Sequence, residues 1–403
     1  VPTAPVESQL EQTRTSDFRW TVLVLMGADT IPTERDLSTE ALDDLAEMEE
    51  IEDLAAAPTL NILVQHHGRD GVVRGHIGHG ESKRIPIDPE QATDGSALLS
   101  FMQWAVTHEK VKHRPRQDRL LLVLWGHSYD FAIGRTKTRT GIDGLDFVEL
   151  ADVLGQFTRG YGQKIDIVSF DACQVATVEM AYELRDVADY LLSSQIGIPL
   201  PGWPYDRIFD RIAHPKGALM GPAELGAYIV RRYCERYHAE EDTVSLTMLD
   251  LKCAAELARA AETLARSLAV AVDGDRREAR ALARLVSRAQ TLEDEPFIDV
   301  ADLCVTLLRE CGDRRVRLAA ENLGDLLISP GPVFANQSLE GKGRPFIVEH
   351  GRNACETARL HGVSLYAPHV STGHDADAAR PFYDRFRFVQ ETMWANVIRE
   401  VGR

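Results

Sequence analysis

The stretch Lys164–Leu184, KIDIVSFDACQVATVEMAYEL, changes character at its midpoint. Ile165 to Phe170 are mostly β-branched or bulky apolar residues and predict a buried strand. After Cys173 the spacing predicts a helix from about Val175 to Tyr190, with Val178, Ala181, Leu184, Ala188 and Leu191 on one apolar face. A structural cysteine is normally buried inside an element, whereas Cys173 sits on the joint between two.

The same alternation runs outward from this stretch. Trp20–Met26 and the run LNILVQ predict strands, and between them TEALDDLAEMEEIEDL predicts a helix with Leu42, Leu45 and Met48 on one face. GVVRGHI reads as a short strand, GSALLSFMQWAVTH as a helix, and RLLLVLWGHS as another buried strand. Asp146 and Glu149 then have capping-box spacing at the start of a further helix, and YLLSS is one more strand. Strand and helix alternate through the first 200 or so residues, so the expected fold class is α/β: a mostly parallel sheet with helices on both faces. Helical patterns dominate afterwards, including the stripe Leu257, Ala261, Leu264 and Leu268, read as core packing. The expected organisation is a flexible tail at 1–17, a catalytic core at 18–215 and a largely α-helical subdomain at 216–335. A C-terminal part at 336–403, with a strand near Val363–Tyr366 and a helix carrying Phe386, Val389, Met393 and Val397, packs back on the core.

Composition narrows the function classes. The 403 residues are 44% hydrophobic and 27% charged, as in a globular protein, and the net charge of −17 argues against nucleic acid or an anionic membrane as partner. No apolar run approaches the roughly 20 residues of a membrane span, and the first residues lack the apolar centre of a signal peptide, so the expected location is cytoplasmic unless a leader was removed. The six cysteines form no CxxC pair and no dense framework, which fits a reducing compartment. Cys234, Cys253 and Cys304 fall in helical patterns and read as inert small hydrophobes.

Ligands of α/β sheets meet the carboxyl ends of the strands, and Cys173 lies at one such end. His127 lies at the end of the preceding core strand, one crossover earlier, so neighbouring strands would bring the two to one rim. A helix starting just after Cys173 would lower its thiol pKa from about 8.5. His127 would then move protons, and the backbone N–H groups of Ser128 and Cys173 would stabilise an oxyanion. The competing reading is a buried cysteine beside a strand-end histidine bonded to a neighbour.

WTVLVLMGAD, ALDDLAEME, LLLVLWGHS, IDIVSFDACQVATVEMAYEL, SSQIGIPLPGWPY, GVSLYAPHV and FYDRFRFVQETMWANVI occur in this order over nearly the whole chain. In this combination the sequence resembles the clostripain-like cysteine peptidases of the caspase-like clan. The resemblance implies a caspase-like sheet, peptide-bond hydrolysis by Cys173 and His127 through a thioacyl enzyme, and cleavage after Arg or Lys. Asp171 stands two positions before the nucleophile, where alternation points it the same way, and suits a pocket for a basic side chain; the alternative is that it caps the next helix. Asp206 is a weaker pocket residue, and Trp203 and Tyr205 are either cleft walls or core aromatics. Ser128 stands where the family commonly has glycine, and PLPGWPY is shorter than the fuller family pattern.

Arg135, Lys137 and Arg139 lie in a Gly- and Thr-containing segment, 134–144, between the histidine and the cysteine. The resemblance implies activating cleavage there, against the plainer reading of a solvated basic loop. His66, His67, His76 and His79 cluster in sequence, but converging metal ligands are not evident and no metal site is assigned. No EF-hand or phosphate loop is present; the sequence requires no cofactor, and the resemblance leaves calcium open. The expected partners are protein or peptide substrates and, in one alternative, an upstream protease activating a narrow-specificity member of a bacterial signalling or defence cascade. A second alternative is a pseudoprotease that binds a protein partner at the sheet rim.

Overall fold

The structure, a computed structural model, describes residues 19–28, 35–51, 59–68, 71–78, 83–87, 95–108, 111, 114–115, 117–129, 131–138, 141–214, 219–238, 242–273, 276–292, 295–327, 345–353, 359–368 and 381–401. The tail expected at 1–17 lies outside these. The strands in chain order are β1 (Trp20–Gly27), β2 (Leu60–Gly68), β3 (Gly71–Ile77), β4 (Lys83–Ile87), β5 (Arg119–Gly126), β6 (Ser128–Tyr129), β7 (Ala132–Thr138) and β8 (Gly141–Asp146). They continue as β9 (Ile165–Asp171), β10 (Ala188–Ser193), β11 (Ser245–Asp250), β12 (Thr291–Leu292), β13 (Glu295–Asp299), β14 (Ile347–Arg352) and β15 (Ser364–Tyr366).

Nine strands form one sheet in the order β14-β11-β10-β9-β5-β1-β2-β3-β4. The central β10, β9, β5, β1 and β2 are parallel, and antiparallel strands extend both edges. Central strands buried on both faces read as unbroken apolar runs, and β5 shows why. Leu120, Leu122 and Leu124 enter one core and Leu121, Val123 and Trp125 the other, by simple period-2 alternation. Helices Gly95–Thr107, Phe147–Tyr161, Val178–Leu184 and Ala254–Val272 contribute to the first core. Helices Ser38–Glu49, Tyr205–Ala213 and Pro222–Arg236 contribute to the second. This is the expected α/β architecture.

Several details differ. In the helix Ser38–Glu49 the buried positions are Ala41, Asp44, Leu45 and Met48, while Leu42 is 53% exposed, so the inward face is rotated from the expected one and carries a carboxylate. The segment expected to be a helical subdomain contributes β11 to the central sheet, paired with β10, and its helix Pro222–Arg236 packs on the core. Sheet closure overrides the helical bias of its neighbours there. Leu257, Ala261, Leu264 and Leu268 are buried as core. At the C-terminus β15 pairs with β13, and the single expected helix is broken into Arg387–Glu391 and Trp394–Val401.

Candidate active site

β5 and β9 are hydrogen-bonded parallel neighbours with Trp125 opposite Asp171. His127 and Cys173 each lie two residues beyond that rung, at the same rim, leaving strands that are about 4.8 Å apart where they pair. The Ser128 hydroxyl donates to the Cys173 carbonyl oxygen and ties the two strand exits together. Gly126, at φ +137°, turns the chain just before His127, a backbone state that favours glycine. Gln174, at φ +57°, turns it just after Cys173; a left-handed non-glycine residue costs about 1–3 kcal/mol and is held here by its surroundings. Its N–H donates to the Ile196 carbonyl at 3.2 Å.

Cys173 is half-buried and in no disulfide, and the Ile198 N–H donates to its sulfur at 3.4 Å. His127 Nε2 donates to the Arg35 carbonyl at 2.9 Å. A carbonyl only accepts, so Nε2 carries the hydrogen and Nδ1 is the basic nitrogen of the neutral ring. The helix expected directly behind Cys173 begins only at Val178, with the Thr177 hydroxyl accepting from Met180 N, and ends at Leu184. Ala188 and Leu191, counted on its apolar face, belong to β10. The sulfur therefore faces a loop N–H and not a helix terminus. By contrast, burial pushes the Cys234 thiol up to about 12 and raises that of Cys304 further still, consistent with inert roles.

Asp171 ends β9 at 4% exposure and accepts from Trp203 N at 3.2 Å and the Tyr205 hydroxyl at 2.8 Å. It is not a helix cap, since Thr177 fills that role. Asp44 approaches from the helix Ser38–Glu49 and accepts from Trp125 Nε1 at 2.6 Å. The two carboxylates flank Gly202 (φ +57°): a Cβ there would stand 3.0 Å from Asp171 Oδ2 and 3.4 Å from Asp44 Oδ2. Burial pushes both carboxyls above the usual range; the Asp171 charge adds to the shift of Asp44, while the bonds from Tyr205 and Trp203 restrain that of Asp171. Glu47, close by, accepts from Tyr205 N at 2.9 Å and from Arg236 Nη1 at 3.0 Å. Asp44 and Glu47 escaped the sequence reading; the signal for Asp44 was an acid at helical spacing from Ala41 and Met48.

Trp203 and Tyr205 are 1% and 0% exposed and belong to the core, so neither walls the cleft. Trp203 contributes a backbone N–H, and Tyr205 its hydroxyl. Asp206 lies in the first turn of the helix Tyr205–Ala213 and makes no hydrogen bond or ion pair with Asp171 or Asp44 among the described residues.

A family model described as the clostripain family matches residues 28–307. The chain belongs to the clostripain family. Clostripain of Hathewaya histolytica is 32% identical over 130 residues, covering 26% of this chain and about a quarter (25%) of the relative's length. The fold is that of solved C11 proteases. An inactive zymogen C11 protease from Parabacteroides distasonis matches with a TM-score of 0.62 at 15% identity, covering 94% of this chain and 99% of that one. A secreted C11 cysteine protease from Bacteroides thetaiotaomicron, in complex with an irreversible peptide inhibitor, matches with a TM-score of 0.61 at 18% identity, covering 94% and 98%.

In this clostripain-family chain the segment 134–144 is not a plain loop. Arg135 and Lys137 lie on β7, whose Thr136, Lys137 and Thr138 pair with β8, and Arg139 falls outside the described residues. His66 and His67 lie on β2 and His76 on β3, whereas His79 also falls outside. Among the described residues no three His, Cys, Asp or Glu side chains gather as metal ligands, so no calcium or zinc cage is assigned. No described helix is long and apolar enough to cross a membrane.

Proposed function

We propose that this clostripain-family chain is a cysteine endopeptidase acting after Arg or Lys. The carrying observation is the β5/β9 register, which puts His127 and Cys173 at one rim with a buried carboxylate directly beneath the nucleophile. His127 removes the thiol proton, and the Cys173 sulfur bonds to the peptide carbonyl carbon while the π electrons move onto oxygen. The N–H groups of Cys173 and Ser128 receive that oxyanion. Collapse breaks the C–N bond, and the imidazolium protonates the departing amine. His127 then takes a proton from water, which attacks the thioester, releases the acid and restores the thiol.

Asp171 supplies the negative charge for a guanidinium or ammonium group, and Asp44 beside it gives up its proton once that cation arrives. Among the described residues neither carboxyl is bonded directly to a cation, and an arriving guanidinium or ammonium favours their ionised forms. Asp206 plays at most a longer-range part in this scheme. Activating cleavage falls in the segment 134–144, at Arg139, or at Lys137 or Arg135 once the β7/β8 pairing opens, by the enzyme itself or by another protease. Among the described residues Cys173, Cys234, Cys253, Cys304 and Cys311 form no disulfide, which fits a reducing location such as the cytoplasm.

Fluorogenic peptides ending in Arg, Lys or Asp, incubated with wild type and Cys173→Ala while intact mass is recorded, test this reading. Turnover after Arg or Lys, with a cut between residues 135 and 139 only in wild type, is expected. Turnover after Asp would reject the role of Asp171. No turnover even after nicking with a basic-specific protease would favour a binding protein.

A further inference from the structure

Gln195 sits between the catalytic rim and the C-terminal part of the chain. It is 1% exposed, and its amide is used on both sides. Nε2 donates to Asp299 Oδ2 and to Ser364 Oγ, both at 3.0 Å, and Oε1 accepts from Gly362 N at 2.6 Å. Because Gly362 N can only donate, the orientation of the amide is fixed. Asp299 is itself fully buried and immobilised. It caps the helix Val300–Glu310 through Asp302 N at 2.8 Å and accepts from both His361 N at 2.7 Å and His361 Nδ1 at 3.0 Å.

The backbone on either side of Gln195 is stitched to the backbone beyond the nucleophile. Ala176 N donates to the Ser194 carbonyl at 2.9 Å, and Gln174 N donates to the Ile196 carbonyl. Ser364 N closes the other side on the Ala176 carbonyl at 2.9 Å. Two residues past Ile196, the Ile198 N–H points at the Cys173 sulfur. The side chain of Gln195 thus locks the loop whose backbone meets both the sulfur and the left-handed Gln174.

We propose that Gln195, clamped by Asp299 and Ser364, is a positioning residue that sets the Ile198 N–H against the Cys173 sulfur. Asp299 and Ser364 then belong with the groups that position the catalytic rim. This inference rests on Cys173 being the nucleophile. Gln195 touches no reacting atom; it acts through the loop, and a displacement of about 1 Å in such a loop can lower the rate about 100-fold.

The decisive variant is Gln195→Glu, which keeps shape and the bond from Gly362 but turns an acceptor toward Asp299 and Ser364. Full-length wild type and variant are compared by kcat per alkylatable Cys173, KM, the rate of Cys173 alkylation by iodoacetamide, and melting temperature. The expected result is a fall in kcat of roughly 10- to 100-fold with KM within about threefold and an altered alkylation rate. Activity relative to wild type should recover toward lower pH, where a protonated Glu again donates. Unchanged kcat and alkylation in a folded variant overturn the proposal, as does a lowered melting temperature with normal kinetics of the folded fraction.

If Gln195→Glu does not fold, Ser364→Ala removes one acceptor from the amide and should show the same pattern, with a fall of at least about threefold in kcat or in the alkylation rate; no change overturns it. Where wild type does not turn over, the alkylation rate decides. A wild-type Cys173 alkylated no faster than the half-buried Cys234 would instead sink the nucleophile assignment on which the inference rests.

Discussion

At the scale of the residue, the least expected group is Asp44. A carboxylate on the buried side of an amphipathic helix, beside Asp171 and under Trp125 Nε1, is held mainly protonated by burial and by its neighbour. A carboxyl whose folded pKa is raised contributes stability that is complete below its unfolded pKa, near 3.8, and is lost as pH rises through the folded value. Asp44→Asn keeps an acceptor for Trp125 and removes that loss. Its stability relative to wild type should therefore be near zero at about pH 4 and rise by about 1–3 kcal/mol toward pH 8, read from urea titrations at each pH. A flat difference would mean that Asp44 is ionised in the folded protein. The same variant, unable to ionise when the substrate's cation arrives, should raise KM for Arg substrates several-fold.

At the scale of the element, the ends of β5 and β9 do the positioning. Gly126 lies at φ +137°, and a Cβ there would stand 2.7 Å from the Gly27 carbonyl oxygen on β1. Neither backbone can yield without separating paired strands. Gly126→Ala should cost about 2 kcal/mol or more and lower kcat at least about tenfold by displacing His127, as measured by denaturant midpoint and steady-state kinetics. Retained stability and activity would show that the strand exit is more pliable than its geometry implies. The helix Val178–Leu184 teaches the complementary lesson. Its apolar spacing ran on into β10 because a helix and a strand buried on the same core share the same residue types.

At the scale of the whole molecule, the C-terminal part holds the core at buried acids on the short helix behind the nucleophile. Arg387 donates to Glu183 Oε1 at 2.8 Å, to the Glu183 carbonyl at 2.6 Å and to Asp186 at 2.9 Å, while Glu183 is only 3% exposed. Tyr366 N and the Tyr383 hydroxyl donate to Glu179, whose carboxyl burial pushes up to about 7. Arg387→Ala strips a buried carboxylate of its cation and should lower stability by about 2–4 kcal/mol in denaturant unfolding, with one cooperative transition retained. A separate early transition would show instead that the C-terminal part unfolds on its own.

Local chemistry was legible in the sequence wherever one residue type and one spacing sufficed. The apolar runs of β1, β5 and β9, the Asp146 cap and the placement of His127 and Cys173 at strand ends needed only period, propensity and the rule that parallel sheets bind ligands at their carboxyl edge. The tertiary structure alone decided that β5 and β9 are neighbours in register, that Trp203 and Tyr205 are core, and that β11 joins the sheet from within a helical segment. It also brought together Asp44 with Asp171, and Gln195 with Asp299 and Ser364. These are contacts between residues far apart in sequence, and no local period carries them. Each polar group found its partner only because burial removed water as the alternative.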